Sequence, residues 1–250
     1  MVVVNFPKDA KQIEKKKFAE KILKENKSVK TVLEKSGNFS GRLRKMKTNF
    51  IAGEKTKEVL YKENGCVFRF NIDSTYFSPR LSGERKEIAS KIKKGDKVLV
   101  MFAGVGPYSV VIAKNSKAEK VYSNEINREA NKYAKLNIEL NNLKNKIELI
   151  PGDIKRVAVA LVSKKEKFDV IVMPRPQLKD SFLKEAFLLS RKDTKIFYYD
   201  FCKVGEEKLI VEKIKFEAKR SKKKIKILKI KKAGEIAPYK IRLRVDFVVL

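Results

Sequence analysis

From Lys97 onward the chain alternates short apolar runs with stretches of helical period. The runs Lys97–Phe102, Lys120–Asn124, Ile147–Ile150, Phe168–Met173 and Lys195–Phe201 have the length of buried parallel strands and are too short for helices. Helices are expected at Pro107–Lys114, Asn127–Asn141, Ile154–Val162, Leu178–Ser190 and Gly205–Ala218. Two last strands, near Lys224–Lys231 and Lys240–Leu250, follow each other without a crossover helix. They predict an antiparallel edge hairpin with Gly234 and Pro238 in its turn. Such alternation is the pattern of an α/β, doubly wound, Rossmann-like sheet of seven mixed strands.

The first part of the chain reads differently. Met1–Phe6 is a short strand. Lys8–Asn26 is an amphipathic helix with Ile13, Phe18, Ala19, Ile22 and Leu23 on one side, and Val29–Leu33 is a strand. Glu58–Tyr61 and Cys66–Ile72 flank Glu63-Asn64-Gly65, and Asn-Gly is a strong hairpin signal. These elements predict a small α+β domain over residues 1–74, ahead of the Rossmann-like domain over 75–250. At the start of the second domain, Ser82 can cap a helix running to about Lys94, with Glu84 and Arg85 in its first turn.

The candidate chemistry gathers at strand ends. Phe102-Ala103-Gly104-Val105-Gly106 turns the chain sharply between a strand and a helix opened by Pro107. Glu125 follows the next strand and Asp153 the one after. Glu125 lies about twenty residues beyond the glycines, where an acid accepts hydrogen bonds from a ribose diol. Asp153 is placed to accept from an adenine amino group. Position 109 is Ser, so there is no G-x-G-x-x-G, and there is no P-loop lysine. A nucleoside ligand without a pyrophosphate, S-adenosylmethionine, fits this pattern. The plainer alternative, that both acids only cap helices, stays open.

Charge adds a partner. Sixty Lys and Arg against 30 Asp and Glu give a formal charge of +30, which favours a polyanion, nucleic acid first. A solvated lysine-rich surface is the alternative. The basic groups expected to form that surface are Arg42, Arg44, Lys45 and Lys47 with Lys219, Arg220 and Lys222–Lys224. The chain has no histidine, which removes His-based triads and His metal sites. Cys66 and Cys202 lack metal or redox spacing, so no metal is expected; they fit a reducing cytoplasm. No apolar run has membrane-spanning length and no signal-peptide pattern opens the chain.

These features carry a resemblance. Lys30–Gly37 (K-T-V-L-E-K-S-G), Ile51–Thr56 (I-A-G-E-K-T), Lys62–Phe70 (K-E-N-G-C-V-F-R-F), Tyr76–Arg85 (Y-F-S-P-R-L-S-G-E-R), Met101–Ser109 (M-F-A-G-V-G-P-Y-S), Asn124–Asn127 (N-E-I-N), Asn137–Asn141 (N-I-E-L-N), Pro151–Asp153 (P-G-D) and Ala237–Lys240 (A-P-Y-K) are similar to segments of the archaeal and eukaryotic tRNA (guanine(37)-N1)-methyltransferase family. The resemblance implies a small tRNA-contacting domain before a class I methyltransferase fold. It implies methyl transfer from S-adenosylmethionine to N1 of guanosine 37, beside the anticodon of tRNA; separately, a cytoplasmic monomer is expected. The family's N-terminal elbow-reading domain is expected to be absent, the chain starting at the second domain.

Carried over by motif, Glu84 is the general base, with Lys62 and Arg80 as further catalytic groups. Phe77, Arg85, Phe102, Ala103, Gly104, Gly106, Glu125, Ile126, Asp153 and Ile154 are cofactor-binding. Arg42, Arg44, Pro174, Arg175 and Gln177 are substrate-binding. Lys62 stands where the family has arginine, so a bidentate fork is lost. Pro174 stands where the family has a base-contacting asparagine, with Arg175 or Gln177 as the expected substitutes, and Val100 replaces the first-strand aspartate. The related wyosine-pathway reactions, aminocarboxypropyl transfer and carbon methylation, stay open, as does a tRNA-binding relative without catalysis.

Overall fold

A computed structural model describes residues 1–7, 9–37, 41, 43, 45–175 and 177–250. The chain begins with a βαβ unit. β1 (Val2–Val4) and β2 (Thr31–Lys35) run parallel, joined by α1 (Gln12–Glu25), whose Ala19, Ile22 and Leu23 pack on the sheet. β3 (Thr48–Gly53) pairs antiparallel with β2. The sequence pattern gives no hint of β3. Its burial runs buried–exposed–exposed–buried–buried–exposed across a register shift at Val32/Leu33, so the period of two is broken.

β4 (Glu58–Glu63) and β5 (Cys66–Asn71) form the predicted hairpin around Asn64-Gly65. A 3-10 turn, Pro79–Leu81, leads into α2 (Ser82–Ser90). The alternating part follows: β6 (Lys97–Met101), α3 (Pro107–Asn115), β7 (Lys120–Glu125), α4 (Arg128–Leu140), β8 (Ile147–Pro151), α5 (Ile154–Ser163), β9 (Phe168–Met173), α6 (Leu183–Leu189), β10 (Ser190–Lys203), α7 (Glu207–Arg220), β11 (Ile225–Ala237) and β12 (Lys240–Val249). The seven strands lie in the order β11-β12-β10-β9-β6-β7-β8. Neighbours from β10 to β8 are parallel, and β12 pairs antiparallel with both β10 and β11. This is the expected mixed seven-stranded sheet. After β8 the chain crosses β6 to lay down β9, so the strand order reverses there. Open α/β sheets bind ligands at that crevice.

β6 shows how the layers are built. Val98 and Val100 point into one core, with Ile88, Ala89, Val110, Val111 and Ile138. Leu99 and Met101 point into the other, with Ala158, Leu161, Leu183, Phe187 and Ile214. Alternate side chains of one strand thus feed both faces, which explains its unbroken apolar run. The hairpin joins the first of these cores through Cys66, Phe68 and Phe70. Asn137 and Asn141, four apart on α4, bind its backbone: Arg69 N–H donates to Asn137 Oδ1 at 2.7 Å and Val67 N–H to Asn141 Oδ1 at 2.9 Å. Asn137 Nδ2 also donates to the Val105 carbonyl, 2.9 Å. The N-I-E-L-N segment therefore fastens the hairpin to the glycine turn.

Two expectations are corrected. The predicted helix from Leu178 is shortened to α6. Asp180 accepts from Phe182 N–H at 3.0 Å, and Phe182 takes φ +56°, so the stretch before Leu183 is a shaped loop. Gly234 does not sit in the last turn. It lies within β11 where the pairing slips between Lys232 and Glu235, and the turn is Pro238-Tyr239.

Candidate active site

The C-terminal ends of β6 to β9 open into a cavity of about 710 Å³. That lies in the usual range for small-molecule sites, roughly 300–1,000 Å³. Its inner end is the strand-end constellation. Gly104 takes φ +58°, and its N–H donates to Glu125 Oε2 at 2.8 Å. Glu125 Oε1 accepts from Asn127 N–H at 2.7 Å. Burial pushes the Glu125 carboxyl above its usual range, against the pull of these N–H groups.

Asn124 holds the neighbouring strand end, donating to the Ile150 and Gly152 carbonyls at 2.8 and 3.0 Å. Phe102, Ile126, Ile154 and Phe182 give the same end an apolar lining. The Phe102 and Phe182 rings meet edge to face at 4.9 Å. A partly buried carboxylate, a glycine turn and apolar walls fit the ribose and adenine of a nucleoside.

The outer end is lined by Tyr76, Ser78, Arg80 and Leu81 before α2, by Tyr199 and Phe201 of β10, and by Ile236, Ala237, Lys240 and Arg242 of the last hairpin. Lys35 and Leu43 of the small N-terminal part also reach it. Arg242 lies over the Phe201 ring at 5.3 Å. Among the described residues neither Arg80 nor Arg242 has an ion-pair partner.

The structure brings Arg80, Phe102, Gly104, Glu125, Ile126, Ile154, Pro174, Arg175 and Gln177 to this cavity. Asp153, between the lining residues Gly152 and Ile154, caps α5 by accepting from Lys155 N–H at 3.0 Å. Ala103 and Gly106 shape the turn from behind. Ala103 N–H donates to the Asn124 carbonyl at 2.8 Å. Gly106 takes φ +85°, a left-handed conformation that favours glycine, just before α3. Arg42 and Arg44 lie outside the described residues.

Other expected residues are placed elsewhere. Lys62 is exposed on β4, because strand alternation turns it away from its neighbours Tyr61 and Glu63, which face inward. Phe77 is packed away against Tyr61 at 5.2 Å and stacked on Phe70 at 4.7 Å. Arg85 is buried and forks onto Glu63, Nε–Oε1 2.5 Å and Nη2–Oε2 2.6 Å, and donates to the Ser78 carbonyl. It clamps the hairpin to α2. Arg175 lines the cavity, but its guanidinium is committed. It pairs with Asp200 at 2.5 Å and donates to the Leu178 and Asp180 carbonyls, so it shapes the loop rather than offering a free fork. Burial opposes the Asp200 charge, yet Arg175 and Lys213 hold that carboxyl below its usual range.

Glu84 does not line the cavity. It is 8% exposed, and both oxygens are engaged: Oε1 with Lys231 Nζ at 2.5 Å, Oε2 with Arg244 Nη1 at 2.6 Å and with the Tyr199 hydroxyl at 3.0 Å. Tyr199 stands between the carboxylate and the cavity. Burial first, then Tyr108 and Glu84, push the Tyr199 hydroxyl well above the usual tyrosine range, so it keeps its proton and donates. The reading from sequence missed Tyr199, Phe182, Arg242 and Lys35. Lys35 lies in a segment that carries the resemblance without marking chemistry there, the other three lie in none, and only the fold brings the four together.

A pH dependence follows from Glu125. An ionised carboxylate accepts from a diol, and its protonation removes an acceptor. With the carboxyl pushed up, a diol contact at Glu125 predicts that S-adenosylmethionine affinity starts to fall, as pH drops, already above the ordinary glutamate value of about 4.3. Calorimetric titration between pH 8 and 5 measures this, and a flat affinity over that range would count against the diol contact.

Similarity to known proteins agrees with this geometry. The profile described as the TRM5/TYW2 methyltransferase domain matches residues 59–229. The tRNA (guanine(37)-N(1))/4-demethylwyosine(37)-methyltransferase Taw22 of Nanoarchaeum equitans is 32% identical over 283 residues, 94% of this chain and 93% of that protein. The tRNA (guanine(37)-N(1))-methyltransferase Trm5b of Pyrococcus abyssi is 32% identical over 250 residues, 100% of this chain and 72% of that protein. The crystal structure of the Pyrococcus abyssi Trm5b superposes with a TM-score of 0.85 over 99% of this chain and 72% of that one. The complex of aTrm5 with tRNALeu is 27% identical and gives 0.84 over 99% and 69%. By sequence and by fold alike, this chain belongs to the TRM5/TYW2 methyltransferase family.

Proposed function

We propose that this protein methylates N1 of guanosine at position 37 of tRNA, using S-adenosylmethionine. The observation that carries the reading is a single cavity lined both by Glu125 and the glycine turn and by Arg80, Tyr199 and Arg242. Glu125 accepts from the ribose diol, Asp153 receives the adenine amino group, and Phe102, Ile126, Ile154 and Phe182 enclose the base. S-adenosylmethionine, when bound, supplies a methyl group on a sulfonium, which leaves as the thioether.

The residues of the chain handle the proton. Guanine N1 carries a hydrogen and is a poor nucleophile until it is removed. Tyr199 accepts that proton as its own passes to Glu84, while the new N1–C bond forms and the C–S bond breaks. Glu84 is thus the general base, acting across one hydroxyl. Its ion pairs with Lys231 and Arg244 hold the carboxylate in place. Arg80 faces the charge that gathers on the guanine as the proton leaves. Gln177, exposed at the mouth beside Pro174, offers an amide to the base in place of an asparagine.

The small unit over residues 1–74 contacts the anticodon stem-loop. Lys35 and Leu43 reach the cavity, and Lys45 and Lys47 are exposed. The enzyme works as a cytoplasmic monomer in this reading. Among the described residues no helix is long and apolar enough to cross a membrane.

Pro174 supports a second reading, carbon methylation of the wyosine precursor 4-demethylwyosine. It removes a hydrogen-bonding side chain from the acceptor end, and the Nanoarchaeum equitans relative is named for both reactions. Incubation with unmodified tRNA and S-adenosylmethionine, then digestion and mass analysis of nucleosides, tests both. A single methyl on guanosine 37 supports the first. A methyl only on 4-demethylwyosine-containing tRNA supports the second, an aminocarboxypropyl adduct overturns both, and an unmodified product removes catalysis altogether.

A further inference from the structure

The turn between β11 and β12 presents an aromatic side chain that nothing in the fold uses. Tyr239 is 84% exposed, the most exposed large hydrophobic side chain among the described residues. Its φ is +56°, a left-handed conformation that favours glycine and is costly for a ring-bearing residue. Pro238 before it fits the first central position of a two-residue turn, whose second central position normally takes Gly or Asn. The turn is nevertheless held. Ala237 pairs with Lys240, and the Tyr239 carbonyl accepts from Val204 N–H at 3.0 Å.

The ring therefore stands on a fixed base, in a backbone state its own side chain opposes. Strain retained at an exposed position is a reason to look for a ligand. The surroundings say which kind. Ile236, Ala237, Lys240 and Arg242 of the same hairpin line the cavity, so the turn that carries Tyr239 borders it while the ring itself is free in solvent. Val204 and Ile236 add exposed apolar surface beside it, and Lys240 and Arg242 add positive charge.

A flat aromatic face with flanking cations is the chemistry that holds an unstacked nucleobase along a single strand. We propose that Tyr239 is a stacking platform for a nucleobase flanking the target nucleotide in the anticodon loop. Turning one base into the cavity breaks the loop's stack on either side. A ring on the bordering turn replaces one of the lost stacking partners. This rests on the tRNA reading above and adds to it a second base-binding position outside the methyl-transfer cavity.

The test uses the full chain with Tyr239→Gly, Tyr239→Ala and Tyr239→Phe. Unmodified tRNA carrying 2-aminopurine at the position before or after the target reports stacking by fluorescence. The wild type and Tyr239→Phe should quench the probe at one of the two positions; Tyr239→Gly and Tyr239→Ala should not. Their tRNA dissociation constants should rise about five- to hundredfold, the size of one base–aromatic stack, with S-adenosylmethionine affinity unchanged.

Tyr239→Gly separates binding from structure. Glycine relieves the positive φ, so its thermal midpoint should equal or exceed that of the wild type while tRNA binding falls. Unchanged tRNA binding and quenching in Tyr239→Gly would overturn the platform. Failure of the wild type to modify or bind any tRNA would instead overturn the tRNA reading itself, so the two failures are distinguishable.

Discussion

Glu84→Gln loses methyl transfer by about a hundredfold or more while binding S-adenosylmethionine as before. The first figure is the usual size of a general-base contribution. The second follows from placement, since Glu84 lies behind Tyr199 and none of its hydrogen bonds touches the Glu125 end. The amide cannot take up a proton, so the path from guanine N1 through Tyr199 has no terminus. Tyr199→Phe should fall by a comparable factor, because the phenyl ring fills the space without carrying a proton. Single-turnover kinetics with saturating S-adenosylmethionine measure both.

Glu84→Gln also removes charge facing Lys231 and Arg244, so folding must be checked alongside by urea titration. A folded Glu84→Gln variant within threefold of wild-type turnover would remove Glu84 as the base. A wild-type rate in Tyr199→Phe would leave Glu84 acting directly, after a rearrangement that opens it to the cavity.

Arg244→Met should destabilise the protein by about 3–5 kcal/mol, the cost of removing one member of a buried ion network. Arg244 is 0% exposed and lies on β12, at the centre of the sheet's mixed half. Its guanidinium meets Glu84 at 2.6 Å, Glu87 at 2.5 Å and Asp246 at 2.7 Å. Lys231 pairs with the first two carboxylates and Lys91 with the third at 2.9 Å. Without the guanidinium, three carboxylates are left with two partly exposed lysines.

The variant's deficit should depend on pH with a definite sign. The Arg244 hydrogen bond first, then Lys231, hold the Glu87 carboxyl well below its usual range despite burial. A depressed folded value contributes stability that is complete above the unfolded value of about 4.3 and lost as pH falls through the folded one. The gap between wild type and Arg244→Met should therefore be widest near neutrality and narrow below about pH 4. Urea midpoints at pH 7 and pH 3.5 measure it, and a gap that widened in acid would contradict the ion-network account.

The inner half of the site was legible in the residues for a physical reason. A strand, a glycine turn and a helix are contiguous in sequence, and so are β7 with Glu125 and β8 with Asp153. Period and spacing therefore report both the sheet and the acids at its strand ends. The mixed order of the last strands was legible too, because β11 and β12 follow each other without a helix.

The outer half depends on contacts far apart in the chain. Glu84 meets Tyr199 across 115 residues, Lys231 across 147 and Arg244 across 160. No local period records such pairs. Lys62 illustrates the same limit: its motif suggested chemistry, but alternation along β4 turned it to solvent while its neighbour Glu63 was drawn inward by Arg85. β3 was hidden because a register shift broke its alternation, and Tyr239 because a turn residue declares its exposure only once the hairpin is built. Neighbours along the chain were enough to specify the layered sheet and the glycine turn with its strand-end acids. Only the tertiary structure decided which acid faces the cavity, which is held behind a tyrosine, and what stands at the mouth, because those follow from packing between segments that share no local pattern.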